Sequence, residues 1–141
     1  MKLEIGAVWI DPPGLEITSL PIAYTNIDAE VRIYLGDRLF FDATVCIVEL
    51  ANAVQRWSAA DRPRPARFRF ESGDDEEPNI LCFERSDEGV RLSSAWQKFH
   101  ADEKVSEEQL DGALRGFVRE VVRRCRDDLG IDVKGWIGRA N

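Results

Sequence analysis

The sequence contains few of the residues that build metal and nucleophilic sites. It has a single histidine, His100, and three cysteines far apart, Cys46, Cys82 and Cys125. This excludes the usual zinc sites, which take their ligands from closely spaced cysteines and histidines. The acidic run at residues 74–77 lacks the spaced oxygen ligands of a calcium loop, and no glycine-rich phosphate-binding fingerprint follows a strand. We therefore expect no metal and no cofactor.

Long apolar runs and an even set of cysteines are also absent. No stretch approaches the length of a membrane-spanning helix, and residues 1–14 lack the apolar core of a secretory signal. An odd number of cysteines in apolar settings is typical of free buried thiols and not of a disulfide framework. These absences predict a cytoplasmic protein from a reducing compartment that does not bind membranes.

The overall composition is that of a globular domain. Hydrophobic residues make up 44% and charged residues 32% of the 141 residues, close to the averages of folded proteins. This length predicts one domain over residues 1–141. The net charge is −7, and such a chain is poorly placed to neutralise phosphates. We expect no nucleic-acid partner, because an acidic chain is better suited to a basic protein.

Hydrophobic alternation predicts strands in the first part of the chain. Residues 3–9 alternate, and the Asp-Pro-Pro-Gly that follows ends this strand because proline cannot donate to a ladder. A short strand is expected at residues 15–20. Two further alternations, at residues 31–35 and 39–41, flank Gly36-Asp37, which is typical of a tight hairpin.

A helical period follows this hairpin and is followed by more strands. Asp42 or Thr44 is expected to cap a helix that runs to Ala59. Three more alternating segments come after it, at residues 66–70, 80–85 and 90–96. Their connections are too short for crossovers, so they predict an antiparallel meander.

The last helix has the clearest limits in the sequence. Ser106 and Gln109 form a capping box, and Gly130 stands where a left-handed residue ends a helix. The predicted core comes from the inward positions of all these elements: Leu50, Val54, Phe68, Phe70, Leu114, Phe117 and Val121. The order of elements predicts an α+β fold, an antiparallel sheet of five or six strands with two helices packed on one face.

A cysteine–histidine pair is the first catalytic arrangement to consider. His100 is the available base for Cys82 or Cys46. No cysteine lies near a glycine-rich turn or a basic cluster that would favour its thiolate. Packing thiols and a surface histidine are therefore preferred, and we predict no enzymatic activity. A small enzyme that uses a cysteine or a carboxylate, and a homo-oligomeric structural or regulatory module, remain the alternatives.

Two loop features are candidate partner-binding sites. The acidic tip, a run between two predicted strands, consists of Asp74, Asp75, Glu76 and Glu77. A concentrated negative loop steers and orients a basic partner, although such runs are more often solvated faces. Trp96 and Phe99 precede the last helix and are candidates for an adjoining aromatic anchor. The alternative is that both rings pin this loop to the core.

A third candidate is an arginine stripe on the last helix. At 100° per residue its members fall within an arc of ~80° opposite the apolar face. They are Arg115, Arg119, Arg123 and Arg126. Arginines at i,i+4 spacing disfavour the helix by about 0.2–0.5 kcal/mol per pair, and Asp111 offsets this only at the first turn. The stripe is expected to meet an acidic surface or a phosphate-bearing ligand, or to be a tolerated solvated face.

Several features occur in a characteristic order along the chain. They are a hairpin that ends at residues 39–44, a helix that ends in Trp57, an aromatic strand after a proline-rich connector, and a closing helix followed by residues 130–133. In this order and spacing, residues 28–137 resemble small uncharacterised bacterial proteins of the immunity-protein type, which occur with polymorphic toxin systems. The resemblance implies a non-enzymatic protein-binding domain that neutralises a basic toxin, and a homodimer is compatible with it.

Overall fold

Two three-stranded antiparallel sheets and three helices make up the part of the chain that the structure, a computed structural model, describes: residues 1–59, 67–72 and 79–138. In chain order the elements are β1 (Lys2–Ile10), α1 (Leu20–Asn26), β2 (Ile27–Leu35), β3 (Arg38–Cys46), α2 (Ile47–Ser58), β4 (Arg67–Phe70), β5 (Leu81–Ser86), β6 (Gly89–Ser93) and α3 (Glu107–Leu129). The predicted α+β class is confirmed. The prediction of one sheet with two helices is wrong, because the described strands form two sheets and α1 is an additional helix.

The first sheet has the order β1-β2-β3 and is built from long strands. β2 and β3 are joined by the predicted two-residue turn, in which Gly36 has a φ of 63°. A positive φ at the first turn residue suits glycine and fits the right-handed twist of the two strands. β1 pairs with β2 and bulges between Ile5 and Val8. At the bulge Gly6 leaves room for Glu30, because a Cβ on Gly6 would lie 2.8 Å from the Glu30 carboxylate.

Two local predictions are wrong in this half of the chain. The helix expected to be capped by Asp42 or Thr44 is α2, which starts later because β3 stays paired with β2 through Cys46. Residues 15–20 form no strand. α1 begins at the end of this segment with Pro21 in its first turn, where the missing proline N–H breaks no helical hydrogen bond.

The second sheet is the predicted antiparallel meander, in the order β4-β5-β6. β6 ends at Ser93, earlier than predicted, and the segment that follows bonds to both sheets. In that segment the Lys98 N–H donates to the Phe40 carbonyl of β3 at 2.8 Å. Val105 exchanges two backbone hydrogen bonds with Val90 of β6, at 2.7 and 2.8 Å. The segment thus bonds to β3 and to the outer side of β6, two strands that do not pair with each other.

The core forms where the two longer helices meet both sheets. α2 and α3 pack against each other, α2 contacts β2, β3 and β4, and α3 contacts β1 and β6. All seven core residues predicted from the sequence are buried in one cluster. Three aromatic rings from α2, β4 and β5 lie within it, Trp57, Phe68 and Phe83, with centroids 4.9–5.9 Å apart. This cluster joins α2 to the second sheet.

The limits of α3 are those predicted. The Ser106 side chain accepts from the Gln109 N–H at 3.1 Å, and the Gln109 side chain reaches back to the Ser106 N–H. Gly130 ends the helix with a φ of 70°. Such local contacts satisfy backbone groups that the helix ends would otherwise leave unpaired.

None of the three cysteines forms a disulfide. Cys46 and Cys125 are buried, and Cys82 is half-buried. A free cysteine inside a core behaves as a small apolar residue. Among the described residues, no helix combines the length and the apolar character needed to cross a membrane.

Candidate functional site

A groove with a volume of about 510 Å³ runs along one side of α3. Its other walls are the C-terminal part of α2 and the chain that follows α3. We call it the arginine groove, and it is lined by Gln55, Arg115, Val118, Arg119, Val122, Arg126, Lys134 and Ile137. Ligand-binding clefts have volumes of roughly 300–1,000 Å³. The groove joins three members of the predicted arginine stripe to an apolar floor of two valines, and an isoleucine in the opposite wall adds to this apolar surface.

The helical period of α3 places the arginines beside this floor. Arg115, Arg119 and Arg126 fall within an arc of ~40° at 100° per residue. Val118 and Val122 occupy the adjoining strip of the helix surface, between the arginines and the buried face, and both are half-buried. Since an α-helix rises about 1.5 Å per residue, the arginines span roughly 16 Å along α3. Val118 and Val122 lie one turn apart near the middle of this span, so the arginines border the valines and extend about one turn beyond them at each end.

The chain after α3 forms the opposite wall. Val133 is fully buried, and its carbonyl accepts a hydrogen bond from the Ile137 N–H at 3.3 Å. The Gly138 N–H donates to the side-chain oxygen of Asn52, a buried residue of α2. These contacts fold residues 134–138 back toward α2. They bring Lys134 and Ile137 to the groove.

Most of the positive charge in the groove is not neutralised within the described chain. Arg115, Arg119 and Lys134 form no salt bridge with any carboxylate that the structure describes. Arg126 contacts Asp127, with 3.3 Å between Nε and Oδ1, and its side chain stays 64% exposed. The groove is therefore a local positive site on a chain with a net charge of −7. Such a site attracts negatively charged groups.

Arg123, the fourth member of the stripe, lies outside the groove and is held by carboxylates of its own helix. Its Nη2 is 2.5 Å from Glu120 Oε1, and its Nη1 is 3.2 Å from Asp127 Oδ2. The hydrogen bond from Arg123 holds the pKa of Glu120 below its ordinary value. The stripe thus divides into a groove part and an ion-paired part. The expectation that a carboxylate offsets the arginines only at the first turn is wrong.

A protein-family model matches residues 15–127, and its description is Domain of unknown function (DUF7878). The chain belongs to the DUF7878 family. The matched segment begins before α1 and ends within α3, so it includes the arginines and valines of the groove, whereas Lys134 and Ile137 lie beyond it. No curated protein and no solved structure matches the chain.

In this member of the DUF7878 family the two aromatic candidates pack against β3. Phe99 meets Phe40 edge-on with ring centroids 5.5 Å apart, and Trp96 stacks on Phe41 at 6.4 Å. The Arg38 guanidinium lies 3.8 Å from the centre of the Phe99 ring. Both candidates are half-buried and are absent from the lining of the groove. Their contacts place them against the domain core.

The histidine and the cysteines lie in different parts of the molecule. His100 Nε2 is 3.5 Å from Asp102 Oδ1, in a depression beside the β2–β3 turn. Cys46 and Cys82 line two other depressions. Cys125 lies on the buried face of α3, and burial raises the pKa of its thiol to about 11. The fold does not bring His100 to a cysteine. Within the described ranges, no group of three or more His, Cys, Asp or Glu residues could hold a metal ion.

The apolar half of the groove was not predicted as part of a site. Val122 lies seven residues after Arg115 and four before Arg126, and these spacings place all three on one strip of the helix. Its position beside the arginines could therefore have been predicted from the sequence. Lys134 and Ile137 carried no comparable signal, because their positions depend on contacts with α2. The acidic tip, residues 74–77, lies outside the described residues, and its role stays a prediction.

Proposed function

We propose that this chain is a non-enzymatic protein-binding domain that docks a partner protein in the arginine groove. The observation that carries the proposal is an apolar floor beside three cations, Arg115, Arg119 and Lys134, that form no salt bridge with a described carboxylate. Covering apolar surface is favourable by roughly 25 cal/mol per Å², and the cations offer charge to a partner that brings the opposite sign. Arginine is also enriched in protein–protein interfaces.

The charge of the whole chain favours a protein over a nucleic acid in this groove. Nucleic-acid affinity depends on many contacts between cations and phosphates. The whole chain, with the groove included, has a net charge of −7 and is therefore poorly suited to such contacts. A protein can place a few carboxylates beside the arginines and bury apolar side chains on the floor. A small anion would leave the floor in water.

The proposal is tested by removing two charges from the groove. A chain with Arg115→Gln and Arg119→Gln is used as bait in an extract of the cells that produce the protein, beside the parent chain. The matched control carries Arg32→Gln and Arg123→Gln, which remove two charges outside the groove. A protein retained by the parent and the control but not by the groove variant is purified, and its affinity is measured by calorimetric titration.

We expect the purified partner to bind the groove variant about 2- to 30-fold more weakly, because two exposed ion pairs are lost. The control should bind like the parent. The groove variant should melt within about 2 °C of the parent, because Arg115 and Arg119 form no ion pair with a described residue. The control should melt a few degrees lower, because Arg32 and Arg123 lose ion pairs with Asp42 and Glu120, each worth up to about 1 kcal/mol. Equal binding by all three chains would contradict the groove as the docking surface.

A toxin-neutralising role is the more specific form of this proposal. It is supported by the resemblance of residues 28–137 to immunity-type proteins and by the acidic balance of the chain, which suits a basic toxin. The product of the adjacent gene is the partner to test, by growth of cells that express both proteins and by association kinetics. If the chain neither rescues growth nor binds the adjacent product, the toxin-neutralising role is contradicted. The groove as a docking surface is then judged by the Arg115→Gln/Arg119→Gln experiment alone.

If the adjacent product binds, the acidic tip is expected to steer it. Replacing Asp74, Asp75, Glu76 and Glu77 with serine should slow association and weaken its dependence on salt, because long-range attraction between opposite charges is screened by ions. An unchanged association rate would make the acidic tip a solvated turn.

A further inference from the structure

Resting on the proposed function, we infer that the arginine groove takes an acidic amphipathic helix of the partner protein. The apolar side chains of this helix pack on the groove floor. Its carboxylates border that apolar stripe and meet the cations of the two walls.

The distribution of charge in the groove specifies the chemistry of the occupant. Arg115 and Arg119 come from the α3 wall, and Lys134 comes from the wall that follows α3. None of these cations has a salt bridge to a described carboxylate. A segment that fills the groove therefore meets cations from both walls and apolar surface beneath. Its complement is an apolar stripe with Asp or Glu on either side.

The backbone of the groove walls favours a helical occupant over an extended one. The hydrogen-bonding groups of α3 are used within the helix, and the other wall is a run of turns that bond to themselves and to α2. None of the described residues that line the groove belongs to a strand, so an extended peptide would place its own N–H and C=O groups against the apolar floor without ladder partners. A helix satisfies its backbone internally and presents side chains alone.

The dimensions of the groove set the length of this helix. The arginines span roughly 16 Å along α3, which matches about three turns of a second helix. A volume of about 510 Å³ accommodates the apolar side chains of one helix face. An isolated segment of three turns is marginally helical in water. It would therefore be part of a longer helix of the partner or become helical on binding.

The test uses three synthetic probes in fluorescence anisotropy titrations. The first is a labelled helical peptide of about 14 residues, with leucines at i, i+4 and i+7 and glutamates on both flanks. The second carries glutamine in place of every glutamate. The third is a labelled single-stranded oligonucleotide with the same number of negative charges as the first. Each is titrated with the parent chain, the Arg115→Gln/Arg119→Gln variant and the Arg32→Gln/Arg123→Gln control.

We expect the glutamate peptide to bind the parent and the control equally, and the groove variant about 2- to 30-fold more weakly. Its affinity should fall as salt is added, and the glutamine peptide should bind more weakly at low salt. Circular dichroism should show a gain of helix when the glutamate peptide binds. This set of results would support the inference.

Each other result overturns a defined part of the argument. Equal binding of the glutamine peptide overturns the acidic character of the occupant and leaves the groove as an apolar docking surface. Tighter binding of the oligonucleotide, lost in the groove variant, overturns the protein partner and with it the proposed function. If no peptide binds while a captured protein still depends on Arg115 and Arg119, the helical occupant is wrong and the proposed function stands.

Discussion

Arg119 and Arg124 lie little more than one turn apart on α3 and meet very different surroundings. Arg124 donates to the carbonyl oxygens of Ile5 and Gly6 in β1, at 2.9 and 2.6 Å, and pairs with Asp128 at 2.7 Å. Arg119 lines the arginine groove and pairs with no acidic group in the described part of the chain. The two sides of α3 thus use the same residue type in different ways.

The β1 side shows what holds an arginine in a structural role. The bulge in β1 leaves an extra residue outside the ladder with β2, and Arg124 satisfies the carbonyl groups there with its side chain only 20% exposed. On the groove side of α3, Arg115 and Arg119 have no hydrogen bond or ion pair to any residue that the structure describes. The acceptor opposite an arginine, and not its place in the helical pattern, decides whether it stabilises the fold or stays available to a partner.

The largest loss of stability is expected from a substitution on the buried face of α3, which lies between the groove side and the β1 side and packs in the core. Phe117 is 3% exposed, and Phe117→Ala should lower the free energy of unfolding by about 3–5 kcal/mol, because apolar contacts are lost and a cavity remains. Urea denaturation measures the change. A loss below about 1 kcal/mol would remove Phe117 from the core.

A smaller, pH-dependent effect is expected at Cys125, on the same buried face. Burial raises the pKa of this thiol from 9.0 to about 11, and the Asp128 carboxylate adds to the rise. The unfolded chain therefore loses this proton first as the pH increases. The protonated thiol contributes about 2–3 kcal/mol to the free energy of unfolding. This contribution is complete below about pH 9 and is lost as the pH rises through 11.

The measurement compares the parent chain with Cys125→Ala by urea denaturation between about pH 8 and 11. The variant should be less stable at neutral pH because it leaves a cavity, but its stability should fall less steeply in this range. Parallel curves for the two chains would contradict the raised pKa of Cys125.

A direct test of the comparison replaces one arginine on each side of α3. Arg124→Met leaves the two β1 carbonyl groups without their donor and should cost about 1–3 kcal/mol of unfolding free energy. Arg119→Met removes no hydrogen bond and should change it by less than about 0.5 kcal/mol. Thermal and urea denaturation of both variants measure the difference. Equal losses of unfolding free energy would show that the arginines on the two sides of α3 stabilise the fold to the same extent.

A small gain in stability is expected at Gly116, a half-buried position of α3 between its two sides. A Cβ at this position would have no neighbour within 4 Å. Gly116→Ala should therefore raise the free energy of unfolding by about 0.5–1 kcal/mol, since alanine favours the helix and restricts the unfolded chain.

The matched control for this prediction is Gly89→Ala. Gly89 has a φ of 126°, and a Cβ there would lie 2.8 Å from the Val105 carbonyl oxygen. This variant should be destabilised, because both the backbone conformation and the space require glycine. Destabilisation of Gly116→Ala as well would mean that α3 needs a glycine at that position.

The arginine groove was predictable in part. The helical spacing of the arginines identified the charged stripe, because the period of an α-helix is a local property. It did not identify which members are paired. Arg123 meets carboxylates of α3 itself, whereas the groove arginines face a wall built from Lys134 and Ile137, whose positions depend on the burial of Val133 and on contacts with α2.

The sequence by itself determined the features that need contacts between near neighbours. The capping box of Ser106 and Gln109, the left-handed end at Gly130 and the turn at Gly36 are each specified within a few residues. Hydrophobic periodicity also placed the residues of the core. These signals act over one turn of helix or one hairpin, so they can be read without knowledge of the rest of the chain.

Only the tertiary structure decided how these pieces combine. The segment after β6 contacts both sheets, because Lys98 bonds to β3 and Val105 bonds to β6. The start of α2 depends on the pairing of Cys46 with Asp28 in β2. Such pairings join residues far apart in the chain, and the hydrogen-bonding groups of a strand are alike along its length. The choice of partner therefore rests on packing of the whole domain, which also forms the second wall of the arginine groove.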